Sequence, residues 1–331
     1  MKKITLFLIL SAFIGLATFA QKNWVSLSTG TSQIPEIIIQ EQTTQRVVFE
    51  ITISGLYVSE IEVEGEIFNR LELYENQTTK DVGMPELPML NKIIGVPGNR
   101  LARVNILEME KTILTDYVVF PFQEPLKDGV QNNNDDFQID RKFYSKNSSY
   151  PEKNIYLDKL EIWRDVKISG FHFVPFTFNP FTKELEVITH LKVEIEFYGA
   201  DNSFGNSGDK SLTPSFYKMY DAVIPNFSSL GYSMTHRGDP GIKYLIITNT
   251  EALGTIQPFI NWKNEQGFKV EVRILEPGFN QPQEFKDYIA QLYESDGLEY
   301  VLMAGDAYPN GGSGGGPNIV PMYYWDPPGE D

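Results

Sequence analysis

An α/β pattern occupies only the last part of this chain and follows a long region of β-type alternation. From Lys243 onward the apolar residues follow strand, helix, strand, helix and strand spacing in turn, and the printed sequence ends at Asp331. A parallel sheet must be covered on both faces and usually needs more elements than three strands and two helices. We therefore expect residues 243–331 to be the first part of a larger α/β domain, and the chain to be the front part of a longer protein.

The three strands of this region are short and mostly apolar, and two amphipathic helices separate them. The strand segments are KYLIITNT, KVEVRIL and LEYVLMAGDA. Apolar groups recur at helical spacing in the first helix at Ile256, Phe259, Ile260 and the stem of Lys263, and in the second at Phe285, Tyr288, Ile289 and Leu292. Gly267 and Gly297 are predicted to end the two helices. Right-handed crossovers would make a doubly wound sheet, whose ligand crevice lies at the carboxyl ends of the strands.

Asp306 is the polar residue with the most informative position, because it follows the third predicted strand. A carboxylate at the carboxyl end of a parallel strand is where α/β enzymes keep catalytic or metal-binding groups. The alternative is structural, with Asp306 capping the turn that follows the strand. Both interpretations stay open, and we take Asp306 as the candidate carboxylate at the edge of an active site.

Residues 46–199 alternate between apolar and polar side chains, as half-exposed strands do. The segments RVVFEITISGL and SEIEVEGEIF each predict such a strand, with Ile61, Val63 and Ile67 opposite four glutamates in the second. The turn NPFTK (179–183) predicts a hairpin, whose second arm has one apolar face formed by Leu185, Val187, Leu191, Val193, Ile195 and Phe197. The prolines of GMPELPMLNKIIGVPGNR favour an extended crossing at a sheet edge. Together these patterns predict an antiparallel β-sandwich.

Residues 1–20 have the pattern of a secretory signal peptide. Lys2 and Lys3 precede an apolar stretch, and small residues flank Phe19, so that cleavage after Ala20 is expected. The apolar stretch is too short for a membrane span, which takes about 20 residues, and no other stretch qualifies. We therefore expect a protein that is secreted or held at the cell surface, without a membrane span.

The predicted domain order is a signal peptide (1–20), a β-rich domain (21–227), a linker (228–242) and the α/β region (243–331). The amphipathic segment FYKMYDAVIPNF precedes the linker, and the linker sequence SSLGYSMTHRGDPG has the composition of an exposed connection. We place the boundary between the two domains near Arg237.

The chain has no cysteine, and its formal charge is −16. Removal of residues 1–20 takes away two lysines and no acids, which changes the charge from −16 to −18. So negative a chain is unsuited to binding nucleic acid, whose partners carry basic patches. The lack of cysteine also excludes disulfides, a thiol nucleophile and thiolate metal ligands within these residues.

Other motifs of the chain give no strong functional signal. The glycine-rich run 310–318 lacks the lysine and the following helix of a phosphate loop, so a flexible surface loop is the better interpretation. The histidines His172, His190 and His236 show no ligand spacing and are expected to be solvated or satisfied singly. An acidic loop contains Asp135, Asp136 and Asp140, whose oxygens are the ligands that calcium prefers. It lacks the glycine and the glutamate of an EF-hand, so we expect it to be solvated.

Three segments are similar to those of a known family. GMPELPMLNKIIGVPGNR and PFTFNPFTKELEVITHLKVEIEF look like prodomain signatures, and KYLIITNTEAL, FINWKNEQGF and YVLMAGDA look like the opening of a catalytic domain. Together they resemble the gingipain family of secreted cysteine peptidases, which have an N-terminal prodomain. The resemblance implies a caspase-like α/β fold for the second domain, no required cofactor, and structural calcium, for which no ligands can be matched here.

The resemblance also implies the chemistry of a cysteine endopeptidase that acts on proteins or peptides. In the family a histidine of a His-Gly motif works with a cysteine at later strand ends, and the thiolate attacks the scissile carbonyl. Neither residue is among residues 1–331, so no catalytic residue is carried over and the fragment alone is expected to be inactive. The prodomain is expected to act as an intramolecular inhibitor until it is cut away, and Arg237 is the candidate cleavage residue.

Two other functions remain open at this point. The chain could belong to a secreted, non-catalytic surface protein whose β-sandwich binds glycan or protein. It could also belong to a sortase-like peptidase of the same clan that acts on secreted cargo. The absence of cysteine in these residues does not separate the alternatives.

Overall fold

The computed structural model of the protein describes residues 22–28, 32–74, 77–125, 137–200, 211–234, 242–275 and 282–305. The chain divides into two compact units, Met1–Phe204 and Gly205–Asp331. The first contains the β-patterned region and the second contains the α/β region, and each is described by itself below.

The described residues of the first unit form strands and one short helix. In chain order these are β1 (Asn23–Ser26), β2 (Glu36–Gln42), β3 (Arg46–Thr52), β4 (Gly55–Val63), β5 (Glu66–Glu72), β6 (Leu90–Gly95), β7 (Leu101–Leu114), α1 (Arg141–Tyr144), β8 (Ile155–Leu157), β9 (Glu161–Trp163), β10 (Val166–Phe173), β11 (Phe176–Asn179) and β12 (Glu184–Tyr198).

The strands β1–β12 pair antiparallel in three sheets. The largest is centred on β12, which pairs with β7 along one edge and with β11 and β3 along the other, and β2 pairs with β3. A second sheet has β10 in the middle, between β6 on one side and β8 and β9 on the other. The third has the order β1, β4, β5. The strand β6, bounded by prolines, lies at a sheet edge as predicted.

The two larger sheets pack face to face over a common core. Phe49 of β3 stacks on Phe171 of β10 with ring centroids 5.9 Å apart, so the sheets share one apolar interior. The predicted apolar face of β12 is buried in full, and its six side chains are at most 4% exposed. The antiparallel β-sandwich predicted from the alternation is confirmed.

The segment SEIEVEGEIF forms a hairpin, and the prediction of one continuous strand was wrong. Glu64 and Gly65 both have positive φ, 53° and 81°, which is the geometry of a two-residue hairpin turn. The turn changes which side chains face inward, so that Ile67 is 58% exposed and Phe68 is buried. The alternation of the sequence crosses the turn without a visible break, and only Gly65 signals it.

The second unit combines short strands and helices. In chain order these are β13 (Ser211–Leu212), α2 (Pro214–Val223), a 3₁₀ helix (Phe227–Leu230), β14 (Ser233–Met234), β15 (Ile242–Thr248), α3 (Thr250–Glu265), β16 (Phe268–Ile274), α4 (Pro282–Asp296) and β17 (Leu298–Met303). Gly267 and Gly297 follow α3 and α4 with positive φ, as predicted for helix ends.

The parallel sheet of the second unit has β15 in the middle, with β16 and β17 on either side. Leu245 and Ile247 share a core with Phe285 of α4. On the opposite face, Tyr244 contacts Phe259 of α3 with ring centroids 6.0 Å apart. The two helices therefore cover opposite faces, and the predicted fold class is confirmed: a β-rich region followed by the start of a doubly wound α/β sheet.

The predicted linker is partly structured. Leu230 is 1% exposed and β14 pairs in parallel with β13, whereas other residues of 228–234 are exposed, among them Met234 at 49%. The reason is that this segment contains apolar and aromatic residues, since Tyr232 stacks on Phe227 with ring centroids 5.7 Å apart. Residues 205–227, which the predicted domain order assigned to the β-rich domain, fall in the second compact unit. Where the functional domains begin and end stays a prediction.

Candidate functional site

The carboxyl ends of β15 and β17 lie side by side at one edge of the parallel sheet. The helix after β15 covers one face of the sheet, and the helix that leads into β17 covers the other. A doubly wound sheet binds its ligand in the crevice outside the strand ends at such a switch point. The candidate site of the second unit is therefore the edge formed by Thr248, Asn249 and Ala304.

Thr248 joins the strand ends at this edge. Its side chain is fully buried, and its hydroxyl Oγ1 donates to the backbone oxygen of Ala304 at 2.9 Å. The backbone N–H of Ala304 donates to Ile247 O, and that of Leu275 donates to Thr248 O, both at 2.8 Å. A buried hydroxyl is costly unless it is hydrogen-bonded, and Thr248 meets this requirement through Ala304 O. Together the three hydrogen bonds hold the ends of β15, β16 and β17 next to one another.

Asn249 connects this edge to the first helix. It is the N-cap of α3, and its Oδ1 accepts a hydrogen bond from Ala252 N at 2.7 Å. The first turn of a helix carries unpaired backbone N–H groups and partial positive charge. Backbone donors at such an edge can stabilise an oxygen that becomes negatively charged during acyl transfer. The edge itself contributes no nucleophile among the described residues.

The structure does not describe all of the site residues that the sequence predicted. Asp306, Arg237 and Ala20 lie outside the described residues, and their proposed roles stay predictions. The same applies to His236, to the glycine-rich run 310–318 and to two residues of the acidic loop, Asp135 and Asp136. Gly305 is the last described residue before Asp306, and it directly follows Ala304, which Thr248 holds.

Asp140 of the acidic loop has a structural role. Its Oδ1 accepts a hydrogen bond from the N–H of Phe143 at 2.9 Å, so it is the N-cap of α1. Within the described ranges no three His, Asp or Glu side chains come together as metal ligands would. The expectation of structural calcium stays a prediction.

The histidines of the first unit each contact a carboxylate, and they lie in different sheets. His190 Nε2 is 3.0 Å from Glu50 Oε1, and this hydrogen bond is the main reason why the pKa of Glu50 lies below its ordinary value. His172 Nε2 is 2.6 Å from Asp158 Oδ2, and its Nδ1 is 2.6 Å from Asn91 Oδ1. For His172 and His190, these contacts agree with the prediction that the histidines are solvated or satisfied singly.

The contacts of His172 line an open cavity of about 1310 Å³ in the first unit. Tyr156 stacks on the imidazole with ring centroids 4.7 Å apart. A Cβ on Gly170 would lie 2.3 Å from Asp158 Oδ2, so the carboxylate reaches the ring only because residue 170 is glycine. Both ring nitrogens are already hydrogen-bonded, and His172 is therefore not placed to act as a base toward a nucleophile.

Comparison with known families assigns both parts of the chain. The family model of the C25 propeptide matches residues 29–213, which is more than half of the chain, and the model of peptidase family C25 matches residues 237–331. The chain belongs to peptidase family C25. The resemblance to gingipains noted from the three sequence segments is confirmed, and the two matches stand in the order propeptide then peptidase.

Curated relatives in family C25 match most of the chain. Gingipain R1 of Porphyromonas gingivalis is 26% identical over 314 residues, which cover 92% of this chain and 18% of that protein. Lys-gingipain of the same organism is 21% identical over 281 residues, covering 82% of this chain and 16% of that protein. The match thus spans less than a fifth of the length of each of these two relatives.

A solved structure shows the same fold over part of this family C25 chain. The complex of Porphyromonas gingivalis RgpB pro- and mature domains matches with a TM-score of 0.52 and 18% identity. The match covers 59% of this chain and 98% of that one. No helix in the described part of the chain is long and apolar enough to cross a membrane.

Sequence reasoning missed two of the arrangements described above. The hydrogen bond of Thr248 joins residues that are 56 positions apart, and the contact of His172 with Asn91 spans 81 positions. A threonine at the end of a buried strand was the available signal for the first. No local pattern signals the second.

Proposed function

We propose that this chain is the signal peptide, the propeptide and the first part of the catalytic domain of a secreted cysteine endopeptidase zymogen. The observation that carries the proposal is the tandem order of the two family matches, with the propeptide at 29–213 and the peptidase at 237–331. Its substrates are proteins or peptides outside the cell, and its signal peptide directs export and is removed by cleavage after Ala20.

The catalytic thiol of the proposed enzyme must come from residues outside this chain, because the chain has no cysteine. The described part contributes the scaffold of the site, namely the strand ends held by Thr248 and the first turn of α3 behind Asn249. A thiolate attacking a peptide carbonyl needs donors for the developing oxyanion, and a sheet edge with a helix N-terminus suits that requirement. Asp306 is proposed as a carboxylate at the border of this site.

The β-rich unit is proposed to keep the peptidase latent as an intramolecular inhibitor. The support is the propeptide match itself, together with a fold shared with the RgpB complex, whose pro- and mature domains were solved together. We propose that maturation cuts the chain after Arg237, the first residue of the peptidase match.

The proposal is tested on the secreted product of the whole reading frame. We expect a thiol-reactive peptidyl probe to label the matured enzyme and to label the uncut precursor far less. Absence of a reactive thiol from the matured protein would refute the cysteine peptidase, and equal labelling of precursor and matured enzyme would refute latency.

The cleavage residue is tested separately by sequencing the mature N-terminus. We expect it to begin at Gly238, and Arg237→Ala to leave this junction uncut. The matched control Arg273→Ala changes an arginine of β16 and should not affect the junction. A mature N-terminus inside the β-rich unit or beyond Tyr244 would show that Arg237 is not the site.

A further inference from the structure

Residues 211–234 form a short module, here called the strap, between the two main regions of the chain. The strap contains β13, α2, the 3₁₀ helix and β14. The propeptide match ends at residue 213 and the peptidase match begins at residue 237, so neither match covers most of the strap. In the structure the strap nevertheless belongs to the same compact unit as the parallel sheet.

Two contacts place the first turns of α2 on strand β17. The ring of Phe216 lies 6.2 Å from that of Tyr300, measured between centroids. The hydroxyl of Ser215 donates to Oε2 of the neighbouring residue Glu299. These contacts join one apolar and one polar group of α2 to consecutive residues of the same strand.

The strap has a small apolar core. Its most buried apolar side chains are at most 2% exposed, and they are Tyr220, Ile224, Phe227 and Leu230. A chain of fewer than about 40 residues rarely builds a core without help from a metal, a disulfide or a partner. Since the strap is grouped with the α/β unit, that unit supplies the remaining cover.

The parallel sheet in turn needs a cover where α2 lies. Tyr244 and Tyr300 stack on the same face of the sheet with ring centroids 5.7 Å apart. Helix α3 reaches Tyr244 through Phe259, whereas the contact of α2 is with Tyr300. A parallel sheet is stable only when both of its faces are covered. Helix α2 therefore extends the layer that α3 begins by contacting Tyr300, whose side chain is still 38% exposed.

We infer that the strap is an integral layer of the peptidase-side unit, although it precedes the proposed maturation cut. A cut between residues 234 and 242 would then divide the chain without separating its pieces, because the strap stays packed on the sheet. The β-rich unit would remain tethered through residues 201–210. Its release would require the strap to leave the sheet or a second cut on the N-terminal side of the strap.

The inference that the strap retains a cut propeptide rests on the proposed function. The packing of the strap on the parallel sheet does not depend on that function. The experiment therefore uses the whole 331-residue chain with two added recognition sites for different commercial proteases. One replaces residues within 204–209 and the other replaces residues within 235–240. Neither step depends on a catalytic thiol, so the result is the same whether or not the parent protein is a cysteine peptidase.

After both cuts, size-exclusion chromatography with mass spectrometry shows which piece carries the strap. We expect the strap to co-elute with the α/β piece. A strap that elutes alone, or that follows the β-rich piece, overturns the inference.

Point variants identify the contact that holds the strap. We expect Phe216→Ala to weaken retention of the strap by about tenfold or more, as loss of a central aromatic anchor does. Lys218→Ala changes an exposed residue of the same helix and should leave retention unchanged. Equal retention in Phe216→Ala and Lys218→Ala would overturn the proposed contact.

A double-mutant cycle of Phe216→Ala with Tyr300→Ala should show effects that are not additive, because the two rings contact each other. If Phe216→Ala alters the circular dichroism of the uncut chain, Ser215→Ala takes its place in a cycle with Glu299→Gln. Additive effects in the cycle that is used would overturn the contact.

Discussion

The two units of this chain bury their sheets to very different degrees. In the β-rich unit, two sheets face each other and cover one another, so that side chains such as Phe49 and Phe173 are at most 1% exposed. In the α/β unit, the α4-side core comprises a few fully buried residues, and Val301 and Met303 of β17 are 39% and 47% exposed. The first unit is closed by its own strands, whereas the sheet of the second is covered by α3 and α4 and is also contacted by α2, which precedes the βαβαβ pattern.

The difference follows from the chemistry of the two kinds of sheet. An antiparallel sandwich needs only alternating strands, since each sheet provides the cover for the other. A parallel sheet needs helices on both faces, and each helix must be supplied by a separate crossover or from elsewhere in the chain. We therefore expect core substitutions to cost more in the β-rich unit than in the α/β unit.

The largest effect is expected from Phe49→Ala. Phe49 is 1% exposed and stacks on Phe171 of the opposite sheet, so its removal leaves a cavity between two rigid faces. We expect the free energy of unfolding of the β-rich unit to fall by about 3–5 kcal/mol. Denaturant unfolding, monitored by hydrogen exchange in peptides from each unit, measures this loss of unfolding free energy.

Phe181→Ala is the matched control for this substitution, because Phe181 is 65% exposed at the hairpin turn. It should change the free energy of unfolding by less than about 0.5 kcal/mol. If Phe49→Ala costs no more than Phe181→Ala, the two sheets do not share the core described here.

Phe285→Ala should cost less, about 3 kcal/mol, and only in the α/β unit. Phe285 is 3% exposed and joins α4 to Leu245 and Ile247, but most other residues packed against this cluster are half-buried and can move into the space it leaves. The same exchange measurement should show faster exchange in β15 and β17. The exposed residue Lys286 provides the control variant Lys286→Ala.

The comparison of the units would fail if Phe285→Ala destabilised its unit more than Phe49→Ala destabilises the sandwich. Faster exchange in β3 and β10 of the Phe285→Ala variant would have another meaning. It would show that the two units unfold together rather than separately.

Local patterns predicted most elements of both units, because alternation, helical spacing and glycine stops are properties of neighbouring residues. The buried face of β12 and the ends of α3 and α4 at Gly267 and Gly297 were predicted on that basis. The hairpin at Glu64 and Gly65 was missed, since a two-residue turn of this kind leaves the alternation almost unchanged.

Contacts between distant residues could not be predicted in the same way. The docking of Phe216 on Tyr300 spans 84 positions, and no periodicity in either segment indicates the other. For the same reason the sequence indicated a site at the strand ends but not the buried hydroxyl of Thr248, which holds them together.

A smaller effect, about 1 kcal/mol, is expected from Asn249→Ala at the N-cap of α3. The substitution removes the oxygen that accepts from Ala252 N at 2.7 Å and leaves that N–H unpaired. Amide exchange in the first turn of α3 should become faster, while the sandwich is unaffected. Asn249→Asp keeps an acceptor at the same position and should retain the stability, and equal losses in both variants would mean that the cap is not the cause.

The smallest effect concerns the ion pair between Lys243 of β15 and Asp296 of α4, whose Nζ and Oδ1 are 3.0 Å apart. The hydrogen bond from Lys243 lowers the pKa of Asp296, so the folded α/β unit favours the ionised carboxyl. This contribution is present above the ordinary pKa of an aspartate, about 3.9, and is lost as the pH falls through the lowered value. Asp296→Asn should therefore reduce stability slightly at neutral pH, and its difference from the unchanged protein should vanish in acid. Thermal unfolding of both proteins, from neutral pH down to acid, measures this difference in stability. A stability difference that persists below the lowered pKa of Asp296 would show that packing, rather than charge, is its cause.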